Sequence, residues 1–275
     1  MVNPIRMEAI AVTIQYEVQV KQVASFGQVP GPEVFWMSAF DRWLPLITLM
    51  GVIRGGGKTI LINSGPPLDF VPTMNASWLE FFKDERARMT VTEEQQTLNV
   101  LRAMGISPEE VDYVVVTPLQ AYAIGNVDLF PNASICLSKR GWIDFHAPKH
   151  PDPRRDMAIP SRILTHLVVD AWREGRVRLL EDEETLLPGL HIWYAGTHHR
   201  SSMAVNVQTH AGTVIFSDCM FYYDNVEKNH PLGILENLEE CQDAYARIRK
   251  EAAVIVPMYD PAVLERHPDG YVSRA

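Results

Sequence analysis

The chain has three cysteines in 275 residues, Cys136, Cys219 and Cys241. That odd number without C-x-x-C spacing excludes both a disulfide framework and a cysteine zinc cluster, and it makes a reducing, cytoplasmic location the expectation. Positive charge is also scarce. Against 34 Asp+Glu stand 25 Lys+Arg, a net charge of −9. Nucleic acids and anionic membranes are recruited by basic surfaces, so neither is expected as a partner. Long apolar runs are missing too. The longest, residues 44–53, is about half of a bilayer span, and residues 1–20 lack the uninterrupted apolar core of a signal peptide. Internal repeats and low-complexity segments are absent.

Hydrophobic residues are plentiful. At 47% hydrophobic and 21% charged, the chain can bury a sizeable core. Residues 10–20 alternate with a period near two from Thr13 onward, the pattern of a half-buried strand. Two further strand patterns, 46–54 and 59–63, flank Gly55-Gly56-Gly57-Lys58. This junction reads as a hairpin turn, because the spacing of a phosphate loop is absent and no helix pattern follows. A helix is predicted over 92–104, opened by Thr92 and Gln95 as a capping box, then a buried strand over 111–116. The proline-rich stretch 146–155 reads as an exposed loop able to act as a lid. Next come a helix at 163–172, strands at 177–180 and 190–195, and a hairpin of 203–209 with 213–217. A helix at 238–250 and a strand at 253–257 close the pattern. Two β-rich halves, each ending in an α/β unit, predict an α/β fold of the αββα sandwich type: two mixed β-sheets flanked by helices, in one domain over 1–275.

Five motifs, in order along the chain, carry a resemblance. Thr59-Ile60-Leu61-Ile62-Asn63-Ser64-Gly65 is similar to a T-I-L-I-D-T-G strand. The stretch Val114-Val115-Val116-Thr117-Pro118-Leu119-Gln120-Ala121-Tyr122-Ala123-Ile124-Gly125-Asn126 is framed like T-H-x-H-x-D-H-x-G-N. Gly196-Thr197-His198-His199-Arg200-Ser201-Ser202-Met203-Ala204-Val205 is similar to G-G-H-T-x-G-S-x-x-V. Ile215-Phe216-Ser217-Asp218 matches a strand that delivers an aspartate, and Ile255-Val256-Pro257-Met258-Tyr259-Asp260-Pro261 is similar to V-P-G-H-D-P. Together these resemble the metallo-β-lactamase superfamily, in particular its acyl-homoserine-lactone lactonase branch, over most of the chain from about residue 48.

The frame is present but most metal ligands are not. In register, the family's ligand positions fall on Pro118, Gln120, Tyr122, Ala123, His198, Asp218 and Tyr259. Only His198 and Asp218 keep a family ligand. Pro118 and Ala123 have no donor atom, and a tyrosine must lose a costly proton before it binds zinc. A family-type dinuclear zinc centre is therefore not expected, and no cofactor is assigned. A residual single zinc, held by His198, Asp218 and a recruited His199, His230 or carboxylate, is the remaining metal alternative.

If the fold is kept, the resemblance brings His198 and Asp218 to one end of the sandwich, where a carboxylate holding an imidazole forms a general-base dyad. Arg200 would supply positive charge to an oxyanion, and Tyr259 and Tyr122 would donate hydrogen bonds to it. Gln120 would orient the substrate. Ser201, where the lactonase-like pattern has glycine, is a candidate nucleophile if His198 reaches it. His199, His230 and Phe221 are further candidates to line the substrate site. The expectation is a metal-independent enzyme acting on a small lactone, ester, amide or other carbonyl compound. Its rivals are a buried His198–Asp218 pair in a non-catalytic small-molecule-binding protein, and a one-metal hydrolase. Related lactonase-like proteins are often dimers, which makes a homodimer one assembly to test.

Overall fold

The computed structural model describes residues 14–150 and 158–274. Among these, the chain begins with β1 (Glu17–Pro30), α1 (Gly31–Val34), β2 (Trp43–Gly55), β3 (Lys58–Ile62), α2 (Val71–Phe82) and α3 (Thr97–Ala103). It continues through β4 (Tyr113–Val115), α4 (Ala121–Ile124), β5 (Ser134–Ser138), α5 (Lys139–His146), α6 (Ser161–Thr165) and β6 (Val177–Leu180). The second half holds β7 (Glu183–Leu187), β8 (Leu190–Tyr194), β9 (Met203–Thr209), β10 (Gly212–Ser217), α7 (Tyr223–Glu227), α8 (Leu238–Glu251), β11 (Val254–Pro257), α9 (Ala262–Arg266) and β12 (Tyr271–Ser273).

Two sheets result, one ordered β12-β1-β2-β3-β4-β5-β6 and the other β11-β10-β9-β8-β7. Both are mixed. β1, β2 and β3 pair antiparallel while β3 to β6 pair parallel. In the second sheet only β10 and β11 are parallel.

The period-two side-chain alternation of strands explains the layering. On β3, Ile60 and Ile62 enter the inter-sheet core while Leu61 faces the opposite side; on β10, Val214 and Phe216 enter that core while Ile215 faces away. The outward face of the first sheet is covered by Val100 and Leu101 of α3 and by Ile163 of α6. The outward face of the second is covered by Cys241, Ala244, Tyr245 and Ile248 of α8, spaced i, i+3, i+4, i+7. This is the αββα sandwich expected from the sequence.

Several boundaries differ from expectation. The helix expected from Thr92 starts at Thr97, because the Thr92 N–H donates to Gln95 Oε1 at 3.0 Å and closes a separate turn ahead of it. The helix expected over 163–172 begins at Ser161 and continues beyond Thr165 as a π-helical segment, His166–Ala171. In the supposed loop 146–155, His146 closes α5, and residues 151–155 lie outside the described residues, as do residues 10–13 of the first expected strand. β1 runs on to Pro30 through two register shifts, which interrupt the alternation and hide its second half from a periodicity reading. The hairpin at Gly55–Lys58 stands as expected, with Gly56 and Gly57 at positive φ.

Candidate active site

The loops after β4, β8, β10 and β11 meet at one end of the sandwich, because side chains at their bases hold one another. Thr117 Oγ1 accepts the Met203 N–H at 2.8 Å and donates to Asp218 Oδ1. The Ser202 hydroxyl donates to Asp218 Oδ2. Asn63 stands at φ +65°, a left-handed conformation that asparagine tolerates. It clamps Thr117 in both directions, donating to its carbonyl and accepting its N–H, each at 2.8 Å. The amide of Asn126 spans the carbonyls of Ser64, Gly65 and Pro66. At Gly125 a Cβ would stand 2.0 Å from Pro67 Cδ, so only glycine fits there.

Above this base lies a cavity of about 300 Å³. Its floor carries Tyr259, Tyr122, Phe221, His198, His199 and Gln120. Its walls come from Phe26 of β1 and from Trp78, Phe81 and Phe82 of α2. The rings interlock edge to face. Phe221 and Tyr259 stand 4.7 Å apart at 72°, Tyr122 and Tyr259 6.0 Å apart at 81°, and Phe26 and Tyr122 5.1 Å apart at 74°. The Tyr259 side chain is 2% exposed and its hydroxyl makes no regular hydrogen bond. Burial, reinforced by the Asp218 carboxylate, holds both phenols well above their usual range, and the Tyr122 hydroxyl adds to the effect on Tyr259.

His198 and Asp218 lie in the same region but do not form the expected hydrogen-bonded dyad. His198 Nδ1 stands 3.2 Å from the Ile234 carbonyl. A carbonyl only accepts, so Nδ1 carries the proton and Nε2 the lone pair. Burial lowers His198 to about 4, keeping it neutral near pH 7. Asp218 is fully buried, with one oxygen given to Thr117 and the other to Ser202, and burial lifts it to about 6 despite those two bonds. The aspartate in the register of a metal ligand is thus committed to the scaffold.

The remaining candidates divide between two places. Arg200 is held by two carboxylates: its Nε meets Glu236 at 2.6 Å and its Nη1 meets Glu240 at 3.4 Å. Ser201 packs against Gly141, whose Cβ would stand 2.3 Å from that of Ser201, and its Oγ accepts the Leu119 N–H at 2.9 Å. No hydrogen bond joins Ser201 to His198 among the described residues. Ser201 and Arg200 line a second, smaller cavity of about 130 Å³, which shares Gln120 and His199 with the first. His230 stands apart from both, with Nε2 3.2 Å from the Trp36 carbonyl and its ring against Phe35.

The residues at the family's ligand positions do not fit a dinuclear zinc centre. Pro118 and Ala123 offer hydrocarbon, the two phenols hold their protons tightly, and both oxygens of Asp218 accept hydroxyl protons. Among the described residues, no three His, Cys, Asp or Glu side chains converge as a metal-binding group.

The walls of the cavity were not legible from the motifs. Phe26 sits beyond the first bulge of β1, and Met74, Trp78, Phe81 and Phe82 occur at the i, i+4, i+7, i+8 spacing of a helix face, the one signal that points to α2. Ser202, which holds Asp218, is named in its motif but gives no hint of that role.

No family model matches the chain. A curated relative, N-acyl homoserine lactonase AiiA of Bacillus thuringiensis subsp. kurstaki, is 22% identical over 176 residues; the match spans 63% of this chain and 64% of the relative's length. Similar solved structures include an N-acyl homoserine lactone hydrolase with the product N-hexanoyl-L-homoserine bound at its catalytic metal centre. That likeness has a TM-score of 0.72 at 17% identity and covers 94% of this chain and all (100%) of the other. The hydrolase AbOPH of the β-lactamase superfamily matches with a TM-score of 0.65 at 14% identity, over 97% of this chain and 92% of the other. In fold the chain is a metallo-β-lactamase sandwich, similar to N-acyl homoserine lactonases and to a hydrolase of the β-lactamase superfamily.

Proposed function

We propose that the protein acts on a small, largely apolar carbonyl compound of the lactone, ester or amide class by acid–base chemistry of its own side chains. The observation that carries this reading is one cavity lined both by a neutral imidazole whose Nε2 is an acceptor and by a buried tyrosine hydroxyl without a regular partner. A buried donor left unpaired costs roughly 1–3 kcal/mol, and a substrate carbonyl oxygen would relieve it.

In hydrolysis, His198 Nε2 takes a proton from water as the water oxygen adds to the carbonyl carbon. The π electrons of the carbonyl move onto its oxygen, which accepts hydrogen bonds from Tyr259 and Tyr122. Collapse of this intermediate expels the leaving group, which receives the proton from the imidazolium. Without a carboxylate partner and lowered to about 4, His198 is a weak base. This favours substrates with good leaving groups, such as strained lactones or aryl esters.

The test is a panel of lactones and aryl esters assayed with and without chelator. Turnover within twofold in both conditions supports the reading, together with a fall in kcat/KM of about 100-fold or more for His198→Gln and about 10- to 100-fold for Tyr259→Phe. Activity lost on chelation and restored by zinc supports the one-metal hydrolase instead. Activity indifferent to both substitutions ends the proposal.

A second reading, binding without turnover, is favoured by the engagement of Asp218 with Thr117 and Ser202, which leaves His198 without a carboxylate to raise its basicity. Melting shifts with compounds that mass spectrometry finds unchanged would select it.

A further inference from the structure

His198 takes its tautomer from its bond to the Ile234 carbonyl. That carbonyl belongs to a strap, residues 230–236, that runs between α7 and α8 along the edge of the aromatic cavity, with the Ile234 side chain among the cavity's lining. Whatever holds the strap therefore decides which ring nitrogen of His198 keeps its lone pair.

The near end of the strap is fixed to α1. The Trp36 N–H donates to the Pro231 carbonyl at 2.9 Å, and the Ile234 N–H donates to the Glu33 carbonyl at 3.0 Å. The buried Asn225 amide donates to the carbonyls of Val34 at 2.9 Å and His230 at 3.0 Å. At Gly233 a Cβ would stand 1.6 Å from the Pro32 carbonyl oxygen, so the strap lies close against α1. The far end is fixed to the loop that carries His198 itself. The Glu236 N–H donates to the Thr197 carbonyl at 2.6 Å, and the Glu236 carboxylate meets Arg200 Nε at 2.6 Å. Thr197 stands at φ +69°, a conformation that a β-branched residue keeps only where its surroundings over-determine it. Three rungs thus join loop and strap: Thr197 to Glu236, His198 to Ile234, and Arg200 to Glu236. Glu240 also meets Arg200, at 3.4 Å, but it lies on α8 and outside the strap.

We infer that Arg200 is a positioning residue: through Glu236 it locks the strap whose Ile234 carbonyl fixes His198 in its Nδ1–H tautomer. This rests on the proposed reading of His198 as the base. Expected beside an oxyanion, Arg200 acts instead on the imidazole, through the backbone of the strap. The two side chains of this ion pair are 39% and 34% exposed. A pair so exposed adds little to overall stability, so its loss is expected to show in the imidazole rather than in the melting temperature.

The test uses full-length protein labelled with 15N-histidine and reads ring proton–nitrogen correlations at neutral pH, the His198 signals being identified by their loss in His198→Gln. The parent should show the Nδ1–H form alone. Arg200→Gln and Glu236→Gln should each admit the Nε2–H form, and the double variant should go no further than either single one, because both cut the same rung. Glu240→Gln should keep the tautomer of the parent. Melting temperatures should stay within a few degrees throughout. On a substrate from the panel, Arg200→Gln should lower kcat/KM about 10- to 100-fold with KM changed less than about twofold. Arg200→Lys, which keeps the charge without the planar fork, should recover part of that loss. An Nε2–H parent, or a tautomer untouched by both Arg200→Gln and Glu236→Gln, overturns the positioning role. A tautomer that shifts as expected in a protein that turns over no member of the panel upholds that role and overturns the acid–base reading instead.

Discussion

Asp218 is a buried carboxylate held by two hydroxyls, with no ion-pair partner among the described residues, so its ionisation works against the fold. Burial lifts it to about 6, against 3.8 for a free aspartate. Between roughly pH 4 and 6 the folded chain therefore holds a proton that the unfolded chain has released, and stability falls as pH rises through that window. His198 acts in the opposite sense. It is lowered to about 4 from 6.5; as pH falls between those values the unfolded chain takes up the proton first, and stability is lost toward acid. The two slopes oppose each other over the same range. Asp218→Asn separates them: the melting temperature of the variant relative to the parent should climb steadily from about pH 4 to 7. A difference constant across the range, measured by scanning calorimetry, would show that this carboxylate does not titrate there. The catalytic reading has its own pH signature. Since His198 must be neutral, kcat/KM should lose activity only below about 4 and stay level above it. At Gly125, alanine would place its Cβ 2.0 Å from Pro67 Cδ. The backbone of the α4 turn must shift to admit it, at an expected cost of about 1–3 kcal/mol read by denaturant titration.

At the scale of elements, α2 decides the shape of the aromatic cavity, because Met74, Trp78, Phe81 and Phe82 of that one helix line it. Trp78 stacks at a tilt against Phe26, with ring centroids 5.0 Å apart. Trp78→Ala should weaken binding of an apolar ligand by about 10- to 100-fold, from the ~1.5–3 kcal/mol of a buried aromatic side chain. The cavity floor would remain in place, so the spectroscopic signature of the fold should be unchanged. By contrast α8 lies behind the second sheet and reaches the site through its first turn, where Glu240 meets Arg200. Its cap is Asn237, whose side chain accepts the Glu240 N–H at 3.0 Å. Asn237→Ala should cost about 1 kcal/mol of stability and, through Glu240 and Arg200, disturb the smaller cavity more than the aromatic one.

For the whole molecule, the sequence by itself determined the layers and the order of the elements. The alternation of Ile60, Leu61 and Ile62, or of Val214, Ile215 and Phe216, assigns each residue to one face of a strand, and the spacing of Cys241, Ala244, Tyr245 and Ile248 assigns a helix face. Such patterns arise from local geometry, so they can be read without knowing what packs across them. The motif frame was legible for a related reason. Thr117, Gly125 and Asn126 are held by hydrogen bonds and close packing against residues 63–67, demands that few residue types satisfy and that therefore leave a recognisable motif. What only the tertiary structure decided is which partners the polar side chains chose. His198 and Asp218 stand 20 residues apart in the sequence, and nothing local states that Asp218 turns to Thr117 and Ser202 while His198 turns to Ile234. Arg200, expected beside an oxyanion, pairs with Glu236 and Glu240. Phe26 and Trp78, unremarked in any motif, became walls of the site. Faces are set by backbone periodicity within one element; hydrogen bonds and cavities are set by atoms from distant segments competing for the same few ångströms, and that competition is settled only when the chain is folded.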